Sequence, residues 1–314
     1  GYPEANNTKG VTLLLTGDFK NGWKQYEWRW KDLSGNAVVR NFKEPLWDGK
    51  TSLKGKSILL FSEQGLGDTI QFSRYIVLVK ALGAKIILET HKELLNIVSS
   101  IDSGITVVLV GQKLPKFDYQ CPLMSLPLKF ETELKSIPSP TYYICADKSL
   151  VSKWKKKIGS QKKSLVGIAW EGNPLHKNDH NRSILLAELI PYLPKKHTYI
   201  GLQKDIRKSN LETLKKNAMI NNLIDSHVTM DDTAAIIENL DIVISVDTSI
   251  AHLSASMGKP TWVLLPFVPD WRWLLDRNDS PWYKSIKLFR QKKRGSWDEV
   301  FKELKKNLMF KSVI

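Results

Sequence analysis

The hydrophobic positions of the chain fall into two patterns, short continuous apolar runs and longer stretches with apolar residues at helical spacing. The apolar runs predict buried strands at residues 57–61, 85–89, 165–170, 198–202, 242–246 and 261–265. The helical spacing predicts amphipathic helices at residues 69–82, 185–192, 232–240 and 249–257. Because strands that alternate with helices form parallel sheets covered by helices, the chain is predicted to be an α/β protein.

Residues 4–30 precede this alternating pattern and predict a helical hairpin, since apolar residues recur at helical spacing over 4–16 and again over 19–30. The pair resembles a single tetratricopeptide (TPR) repeat, with Gly10 where the first helix packs on the second. Arg29 stands where that repeat has a small residue, so an ordinary helical hairpin is the alternative. A single repeat cannot bury its own face, which predicts that the hairpin ends a longer array or docks on the next domain.

The length of 314 residues allows about two domains of ordinary size. Glycine and proline breakers mark a connector after the hairpin, with Trp47 as its apolar anchor. The predicted segments are a TPR-like hairpin at 1–33, a connector at 34–55, an N-terminal Rossmann-like domain at 56–150, a C-terminal Rossmann-like domain at 151–298 and a C-terminal helix or tail at 299–314. Ligands of such sheets bind at the carboxyl ends of the strands, so each strand-to-helix turn is a candidate site.

The composition is that of a globular protein, with 42% hydrophobic and 25% charged residues, which excludes a disordered or fibrous chain. Only two cysteines occur, Cys121 and Cys145, too few for a four-thiolate zinc site or a disulfide framework. No apolar run approaches the roughly 18 residues of a membrane helix, and the first residues show no signal-peptide pattern. The chain is therefore expected to be cytoplasmic and to have no transmembrane segment.

The chain carries 47 basic and 32 acidic residues, a formal charge of +15, which favours anionic partners. Nucleic acid, acidic lipid and phosphorylated small molecules all meet that condition. Six lysines and no acid fall within residues 153–163, and ten basic against three acidic residues fall within 284–311. Such runs are more often solvated helix faces than sites. No nucleic-acid recognition motif accompanies them, so nucleic acid is not the expected partner.

The turn after the fifth predicted strand carries the most informative chemistry, because a buried strand leads there directly into a helix N-terminus. The N–H groups of Thr248, Ser249 and Ile250, with the positive end of the helix dipole, would form a cradle suited to phosphate. In the alternative interpretation, Asp247 or Thr248 only caps the helix and His252 packs beneath it. Both interpretations agree with the spacing.

A second turn, at residues 63–68, follows the first predicted strand and contains Gly65 and Gly67, which allow a substrate close to the backbone. Asp68 is placed either to act as general base for an acceptor hydroxyl or to cap the next helix. The turn is neither the Gly-x-Gly-x-x-Gly dinucleotide fingerprint nor a Walker P-loop. The motif alone therefore does not identify its chemistry.

The loop after the strand at 165–170 is polar, and Arg182 stands just before the next predicted helix, where its planar guanidinium can clamp a phosphate. His176, Asp179 and His180 raise the question of a metal, but their spacing lacks the glutamate of the zinc-protease motif, and no metal is expected. No Asp-x-Asp pair occurs, the carboxylate pair with which many sugar-nucleotide enzymes hold a divalent ion. Phosphate bound here would be held by backbone amides and cations.

Five segments, taken together and in order, resemble the lipopolysaccharide heptosyltransferases (glycosyltransferase family 9), in the form in which TPR repeats precede the transferase domain. The segments are 63–72 (EQGLGDTIQF), 167–174 (GIAWEGNP), 181–183 (NRS), 247–253 (DTSIAHL) and 270–275 (DWRWLL). The resemblance implies the GT-B fold, in which two Rossmann-like domains with parallel sheets face each other across a cleft. Ser249 departs from the glycine that the heptosyltransferases have at its position, and the loop around Gln64 differs from theirs.

The resemblance also implies a role for individual residues. Asp68 would be the catalytic base, and Arg182 would replace a lysine that the heptosyltransferases use against phosphate. The donor diphosphate would be bound by Arg182, Asp247, Thr248, Ser249, Ile250 and His252, the nucleoside by Gln203 and Lys204, and the acceptor side of the cleft would include Gln64, Gly65, Gly67 and Asn173.

The expected function is that of a metal-independent inverting glycosyltransferase, which moves a sugar from a nucleotide-sugar donor to a hydroxyl of a glycan, lipid-linked or protein acceptor. The nucleotide sugar is the substrate, and no cofactor is expected. The TPR-like hairpin would offer a surface for a protein partner. The alternative is a non-catalytic scaffold that keeps the GT-B fold and binds a glycan, a protein or nucleic acid. A sugar-nucleotide epimerase would need acid and base groups on both faces of the sugar, and only one convincing carboxylate is present.

Overall fold

The computed structural model describes residues 2–32, 40–225 and 227–310. Contacts divide the chain into two compact units: unit 1 consists of Gly1–Ile144 and Asp270–Asp276, and unit 2 of Cys145–Pro269 and Arg277–Ile314. Residues 1 and 33 of the predicted hairpin, 34–39 of the predicted connector and 311–314 of the predicted tail lie outside the described residues.

Unit 1 combines a helical hairpin with a four-stranded parallel sheet. Its helices are α1 (Pro3–Leu15), α2 (Phe19–Tyr26), α3 (Leu66–Phe72), α4 (Ile76–Ala81), α5 (Leu95–Ser99) and α6 (Leu126–Lys129). Its strands are β1 (Ser57–Phe61), β2 (Lys85–Thr90), β3 (Thr106–Leu109) and β4 (Tyr119–Pro122), in the order β3-β2-β1-β4. Its 3-10 turns are Glu27–Trp30, Ser73–Tyr75, Lys92–Leu94, Leu123–Ser125 and Trp271–Trp273. Trp47, the predicted anchor of the connector, is buried and donates from Nε1 to the carbonyl oxygen of Thr51 at 3.0 Å.

The helical hairpin predicted at the start of the chain is present as α1 and α2. The two helices approach closely at Gly10, where a Cβ atom would come within 2.6 Å of the backbone nitrogen of Tyr26. On the other helix, a Cβ atom on Gly22 would come within 2.7 Å of the Leu14 side chain. A hairpin of this kind does not by itself identify a TPR repeat, so the TPR assignment stays a prediction.

The helix predicted at residues 69–82 is divided into α3 and α4 by a 3-10 turn. Ser73 Oγ donates a hydrogen bond to the carbonyl oxygen of Ile70 at 2.8 Å, and Arg74 Nε donates to that of Gln71 at 2.7 Å. These side chains donate to carbonyl oxygens that, in a continuous helix, would accept hydrogen bonds from backbone N–H groups one turn further along. The prediction of one uninterrupted helix is therefore wrong.

Unit 2 is built on a six-stranded parallel sheet. Its helices are α7 (Lys148–Ile158), α8 (Asp179–Arg182), α9 (Leu186–Leu189), α10 (Lys208–Lys216), α11 (Met230–Glu238), α12 (Ser249–Ser256) and α13 (Asp298–Phe310), with a 3-10 turn at Ile190–Tyr192. Its strands are β5 (Leu165–Ala169), β6 (Thr198–Gly201), β7 (Ile220–Asn222), β8 (Ile242–Val246), β9 (Thr261–Leu265) and β10 (Ile286–Arg290). They run in the order β10-β9-β8-β5-β6-β7. In the described residues of the chain, no helix is long and apolar enough to cross a bilayer.

All six predicted strands are present, and β1, β8 and β9 have the predicted bounds. The strands that the apolar pattern does not predict are β3, β4, β7 and β10, which are the edge strands of the two sheets. An edge strand is covered less completely than a central one, so its sequence needs no continuous apolar run. The parallel α/β architecture is confirmed, and the turns that carry the candidate residues lie at the carboxyl ends of central strands.

Candidate active site

The predicted donor residues lie in unit 2, at the carboxyl edge of its sheet. β5 pairs with β8 on one side and with β6 on the other, all in parallel. The carboxyl ends of these three neighbouring strands therefore lie side by side. Asp247 directly follows β8, and Gln203 comes two residues after β6. Arg182 donates a hydrogen bond to the carbonyl oxygen of Asp247, so the structure brings these predicted residues together at one edge.

The turn after β8 leads into α12 as predicted. Thr248 is the N-cap residue, and its hydroxyl lies 3.1 Å from Ser245 Oγ instead of bonding to the first amides of the helix. Within the described ranges, the backbone N–H groups of Ser249 and Ile250 make no hydrogen bond. α12 thus presents two unpaired amides at the positive end of its dipole, an arrangement suited to an anion.

Arg182 lies beside this turn and is held in place by two contacts. Its Nη1 donates a hydrogen bond to the carbonyl oxygen of Asp247 at 2.7 Å, and its Nε pairs with Asp179 at 3.1 Å. Its side chain is only 12% exposed, so the charge is fixed and partly removed from water, which strengthens its attraction for an anion. Gly172 makes room for it, because a Cβ atom there would come within 2.6 Å of Arg182 Nη2.

A polar cluster supports Arg182, and the sequence pattern did not predict it. Asp179 is buried, forms a second ion pair with Arg207 and accepts a hydrogen bond from the Ser183 hydroxyl at 2.9 Å. Arg207 Nε lies 3.4 Å from Glu171 Oε2, and Glu171 is buried at the end of β5. One feature of the sequence could have predicted this cluster. Glu171 directly follows the predicted strand at 165–170, and a buried acid without a partner would be unfavourable there.

The histidines of the polar loop do not share Asp179 as a metal ligand, since its carboxylate is already paired with Arg182 and Arg207. Across residues 2–32, 40–225 and 227–310, no group of three or more His, Cys, Asp or Glu side chains is placed to hold a metal ion. Metal independence of the reaction stays a prediction.

His252 lies beneath the turn and is 4% exposed. Its Nδ1 is 2.9 Å from the Tyr283 hydroxyl, and its Nε2 is 4.0 Å from Asp247 Oδ1. This geometry favours a role in holding the Asp247 turn over direct contact with a ligand. The predicted diphosphate contact of His252 stays a prediction.

The remaining predicted residues of unit 2 are arranged around the same edge. Gln203 Oε1 accepts hydrogen bonds from the backbone N–H groups of Trp170 at 3.3 Å and Glu171 at 3.2 Å, so its amide ties the ends of β5 and β6 together. Lys204 is exposed at this edge. Asn173 Oδ1 accepts a hydrogen bond from the backbone N–H of Leu175 at 2.9 Å. Their predicted contacts with nucleoside and acceptor stay predictions.

Unit 1 carries the predicted acceptor turn between β1 and α3. Asp68 Oδ2 accepts a hydrogen bond from the backbone N–H of Gly65 at 2.9 Å at the start of α3. Asp68 Oδ1 forms an ion pair with the buried Arg272, whose guanidinium also pairs with Asp270 at 2.8 Å. Both oxygens of the predicted base are therefore engaged, although each carboxylate oxygen can accept a second hydrogen bond. The sequence did not predict the Arg272 contact.

The other predicted acceptor residues flank Asp68. Gln64 Nε2 lies 3.4 Å from the Tyr26 hydroxyl, and the Gln64 carbonyl oxygen lies 2.9 Å from His91 Nε2. Gly65 has a φ of −70°, which any residue can adopt, and Gly67 is the second residue of α3. The backbone conformation at Gly65 therefore does not require glycine, and the predicted close approach of a substrate stays a prediction.

Glu63, two residues after β1, links this turn to the helical hairpin. Arg29 donates from Nε to one oxygen of Glu63 at 3.0 Å and from Nη2 to the other at 3.2 Å. Arg29 also contacts Glu27 at 2.6 Å and the Ser125 hydroxyl at 2.8 Å. Arg29 and Glu63 are both buried. This pair accounts for the departure of Arg29 from the TPR pattern, since a small residue could not reach Glu63.

Burial raises the pKa of Glu63 from its ordinary value near 4.5 to about 7, and the Arg29 guanidinium offsets only part of that shift. Because the pKa in the folded protein is the higher one, the folded state holds this proton more tightly, and the stability that it contributes decreases as pH rises through that interval. Between about pH 4.5 and about pH 8, the free energy of unfolding should fall in the wild-type protein and in the Glu63→Gln variant by different amounts. We expect the fall in the wild type to be larger, by up to about 3 kcal/mol. Urea unfolding across this range measures the difference, and an identical pH dependence of the two proteins would contradict the assignment.

Comparison with known proteins gives one curated relative and a set of structures. No family model matches the chain. The chain is similar to Protein FlbA of Caulobacter vibrioides, with 23% identity over 319 residues, covering 92% of this chain and 52% of FlbA. The chain thus spans about half the length of the curated relative that it matches.

Solved structures share the fold at low sequence identity. The glycosyl transferase family 9 protein from Veillonella parvula superposes with a TM-score of 0.57 at 9% identity, covering 77% of this chain and 88% of its own. The ADP-heptose lipopolysaccharide heptosyltransferase II of E. coli superposes with a TM-score of 0.57 at 13% identity, covering 81% of this chain and 98% of its own. At these identities the likeness establishes the fold alone, a parallel α/β fold of the kind seen in GT-B-like glycosyltransferases.

Proposed function

We propose that the protein is a glycosyltransferase that moves a sugar from a nucleotide-sugar donor to a hydroxyl acceptor, with inversion at the anomeric carbon and without a metal ion. In this proposal the carboxyl edge of the unit 2 sheet binds the donor, and Asp68 of unit 1 serves the acceptor hydroxyl. We also propose that the protein acts in the cytoplasm and that its acceptor is a glycan, a lipid-linked molecule or a protein.

One observation carries the proposal: the guanidinium of Arg182 is fixed on the carbonyl of Asp247, two residues before the unpaired amides of Ser249 and Ile250. A partly buried cation and a helix N-terminus then act on the same anion. A diphosphate leaving group needs such stabilisation, because negative charge develops on its oxygen as the glycosidic bond breaks.

The proposed reaction is a single displacement. The acceptor hydroxyl gives its proton to the Asp68 carboxylate while its oxygen forms a bond to the anomeric carbon. The bond between that carbon and the diphosphate oxygen breaks, and its electron pair leaves with the nucleoside diphosphate. Arg182 and the α12 amides stabilise the departing charge. Glu171, Asp179 and Arg207 hold Arg182 in position.

The compared structures suggest where the search for a donor begins. The E. coli protein is described as an ADP-heptose heptosyltransferase. ADP is therefore the first nucleotide to test, in a calorimetric panel with GDP, UDP, CMP and dTDP, first without metal and then with Mg²⁺. We expect one of them to bind selectively and equally well without Mg²⁺.

Arg182→Ala is expected to weaken binding of that nucleotide by about 10- to 100-fold, because a hydrogen bond to a charged group contributes roughly 1.5–3 kcal/mol. Lys208→Ala is the matched control, since Lys208 is an exposed lysine at the start of α10 and its loss changes the net charge equally. Unchanged affinity in Arg182→Ala, or equal weakening in both variants, would exclude Arg182 as the diphosphate clamp. Failure of every nucleotide to bind at about millimolar concentration would overturn the donor site.

A second candidate function, a non-catalytic scaffold with the same fold, is favoured by the state of Asp68. Both of its oxygens are engaged, one by the Gly65 amide and one by the buried Arg272, as expected of a helix cap in a structural ion pair. The two candidates differ in the expected activity: the glycosyltransferase transfers sugar and needs Asp68 for it, whereas the scaffold transfers none.

A further inference from the structure

The amino edge of the unit 2 sheet carries a row of lysines that the proposed function does not use. Four of the six strands have a lysine two residues before their first residue: Lys163 before β5, Lys196 before β6, Lys259 before β9 and Lys284 before β10. Lys162 and Lys195 extend the row. Because every strand in this sheet is parallel, these six residues lie along one edge, opposite the carboxyl edge with Arg182.

A hydrogen bond joins the lysines that precede β5 to those that precede β6. The first residue of β5 pairs with the first residue of β6, and Lys163 Nζ donates to the carbonyl oxygen of Lys195 at 2.8 Å.

Two acidic residues lie near the row of lysines. Asp241 accepts a hydrogen bond from the backbone N–H of Leu165 at 2.7 Å, and Glu238 Oε1 lies 3.7 Å from Lys259 Nζ. Positive charge exceeds negative charge along the whole edge.

The end of α13 places apolar side chains beside the same edge. Lys196 Nζ donates to the carbonyl oxygen of Met309 at 2.6 Å, and His197 Nε2 lies 3.0 Å from the carbonyl oxygen of Leu308. Met309 is 52% exposed and Phe310 is 82% exposed. Two large apolar side chains therefore project to solvent next to the lysine row.

We propose that the amino edge of the unit 2 sheet binds the surface of an anionic membrane. The lysines supply attraction to acidic headgroups, and Met309 and Phe310 enter the interfacial region of the bilayer. The two or three described residues that come just before β5, β6, β9 and β10 include no arginine, although the chain has nine arginines. Lysine is a point charge suited to a diffuse anionic surface, whereas nucleic-acid phosphates are commonly held by the planar fork of arginine.

The test uses the full chain and sedimentation with vesicles of phosphatidylcholine containing about 30% phosphatidylglycerol, at about 0.1 M salt. We expect binding to these vesicles, no binding to vesicles of phosphatidylcholine alone, and release at about 0.5 M salt. Absence of binding to the anionic vesicles, or equal binding to both kinds, would overturn the proposal. The measurement does not depend on donor binding or on transfer.

Lys162, Lys195 and Lys284 are the residues to change together to Gln, because within the described ranges their ammonium groups bond to no other residue. We expect binding to the anionic vesicles to weaken about 100-fold, since each lysine near such a surface contributes roughly a factor of five. The control changes three exposed lysines of unit 1, Lys50, Lys92 and Lys113, to Gln, with the same loss of charge. Equal weakening by both sets would overturn the proposed location.

Phe310→Ser distinguishes a membrane from a nucleic acid as the partner. A membrane partner predicts weaker vesicle binding in this variant and no high-affinity binding of a labelled oligonucleotide by the wild-type protein at the same salt. Tight oligonucleotide binding that the lysine changes abolish and Phe310→Ser leaves unchanged would show that the edge serves nucleic acid, and would overturn the membrane proposal.

Discussion

Asp68→Asn is expected to lower the rate of sugar transfer by about 10²- to 10⁴-fold and to leave nucleotide affinity unchanged, because the variant removes the proposed general base of unit 1 and leaves unit 2 intact. The amide keeps the size of the carboxylate and can still accept from the Gly65 amide. The measurement is the release of nucleoside diphosphate from the nucleotide sugar that matches the calorimetric panel. Thermal unfolding of the same variant shows whether α3 tolerates the change.

Asp270→Asn is the matched control for this experiment. Asp270 pairs with the same guanidinium of Arg272 as Asp68 does, at 2.8 Å, and it has no proposed role in proton transfer. Loss of transfer in Asp68→Asn with near-normal transfer in Asp270→Asn would support a base. Wild-type transfer in Asp68→Asn would eliminate Asp68 as the base. Equal losses in both variants would indicate that Arg272, positioned by both acids, is the residue that matters.

Arg29→Leu is expected to reduce the free energy of unfolding by about 3–5 kcal/mol at about pH 8, because Glu63 loses its cationic partner and must either stay ionised while buried or take up a proton at a pH far above its ordinary pKa. The loss should be smaller at about pH 5, where Glu63 can take up a proton and become neutral. Urea unfolding at the two pH values measures both effects.

Two further variants separate the ion pair from other effects of the substitution. Lys24→Leu removes an exposed cation of α2 and should change stability by less than about 1 kcal/mol. The double variant Arg29→Leu/Glu63→Gln removes both charges and should recover part of the stability lost by Arg29→Leu. If the double variant is as unstable as the sum of the two single variants, the buried pair does not account for the effect.

The sequence predicted the central strands and the turns that follow them. β8 and the start of α12 are found as predicted because they depend on a local signal, a run of buried apolar residues that ends at Asp247. The edge strands lack that signal. β7 contains Ile220 with two asparagines, and β10 contains Lys287 and Arg290, so their polar positions resemble those of a loop or a solvated helix.

The contacts that hold the candidate residues could not be predicted from the sequence, for a different reason. Arg29 is 34 positions from Glu63, and Arg272 is 204 positions from Asp68. Periodicity describes neighbours within one element and carries no information about such distant pairs. One sign was present in advance: Arg29 did not fit a TPR repeat, and a misfit of this kind at a buried position indicates a specific polar partner.

The assignment of Asp270–Asp276 to unit 1 has a consequence for the order in which the protein can be completed during synthesis. Trp271 packs on Trp23 and Tyr26 of the hairpin with ring centroids 5.4 and 5.8 Å apart, and Arg272 pairs with Asp68. When synthesis has reached Ile144, residues 270–276 of unit 1 have not yet been made. Trp23 and Tyr26 therefore lack their Trp271 contact while most of unit 2 is being translated, so unit 1 cannot be completed before unit 2 is nearly made.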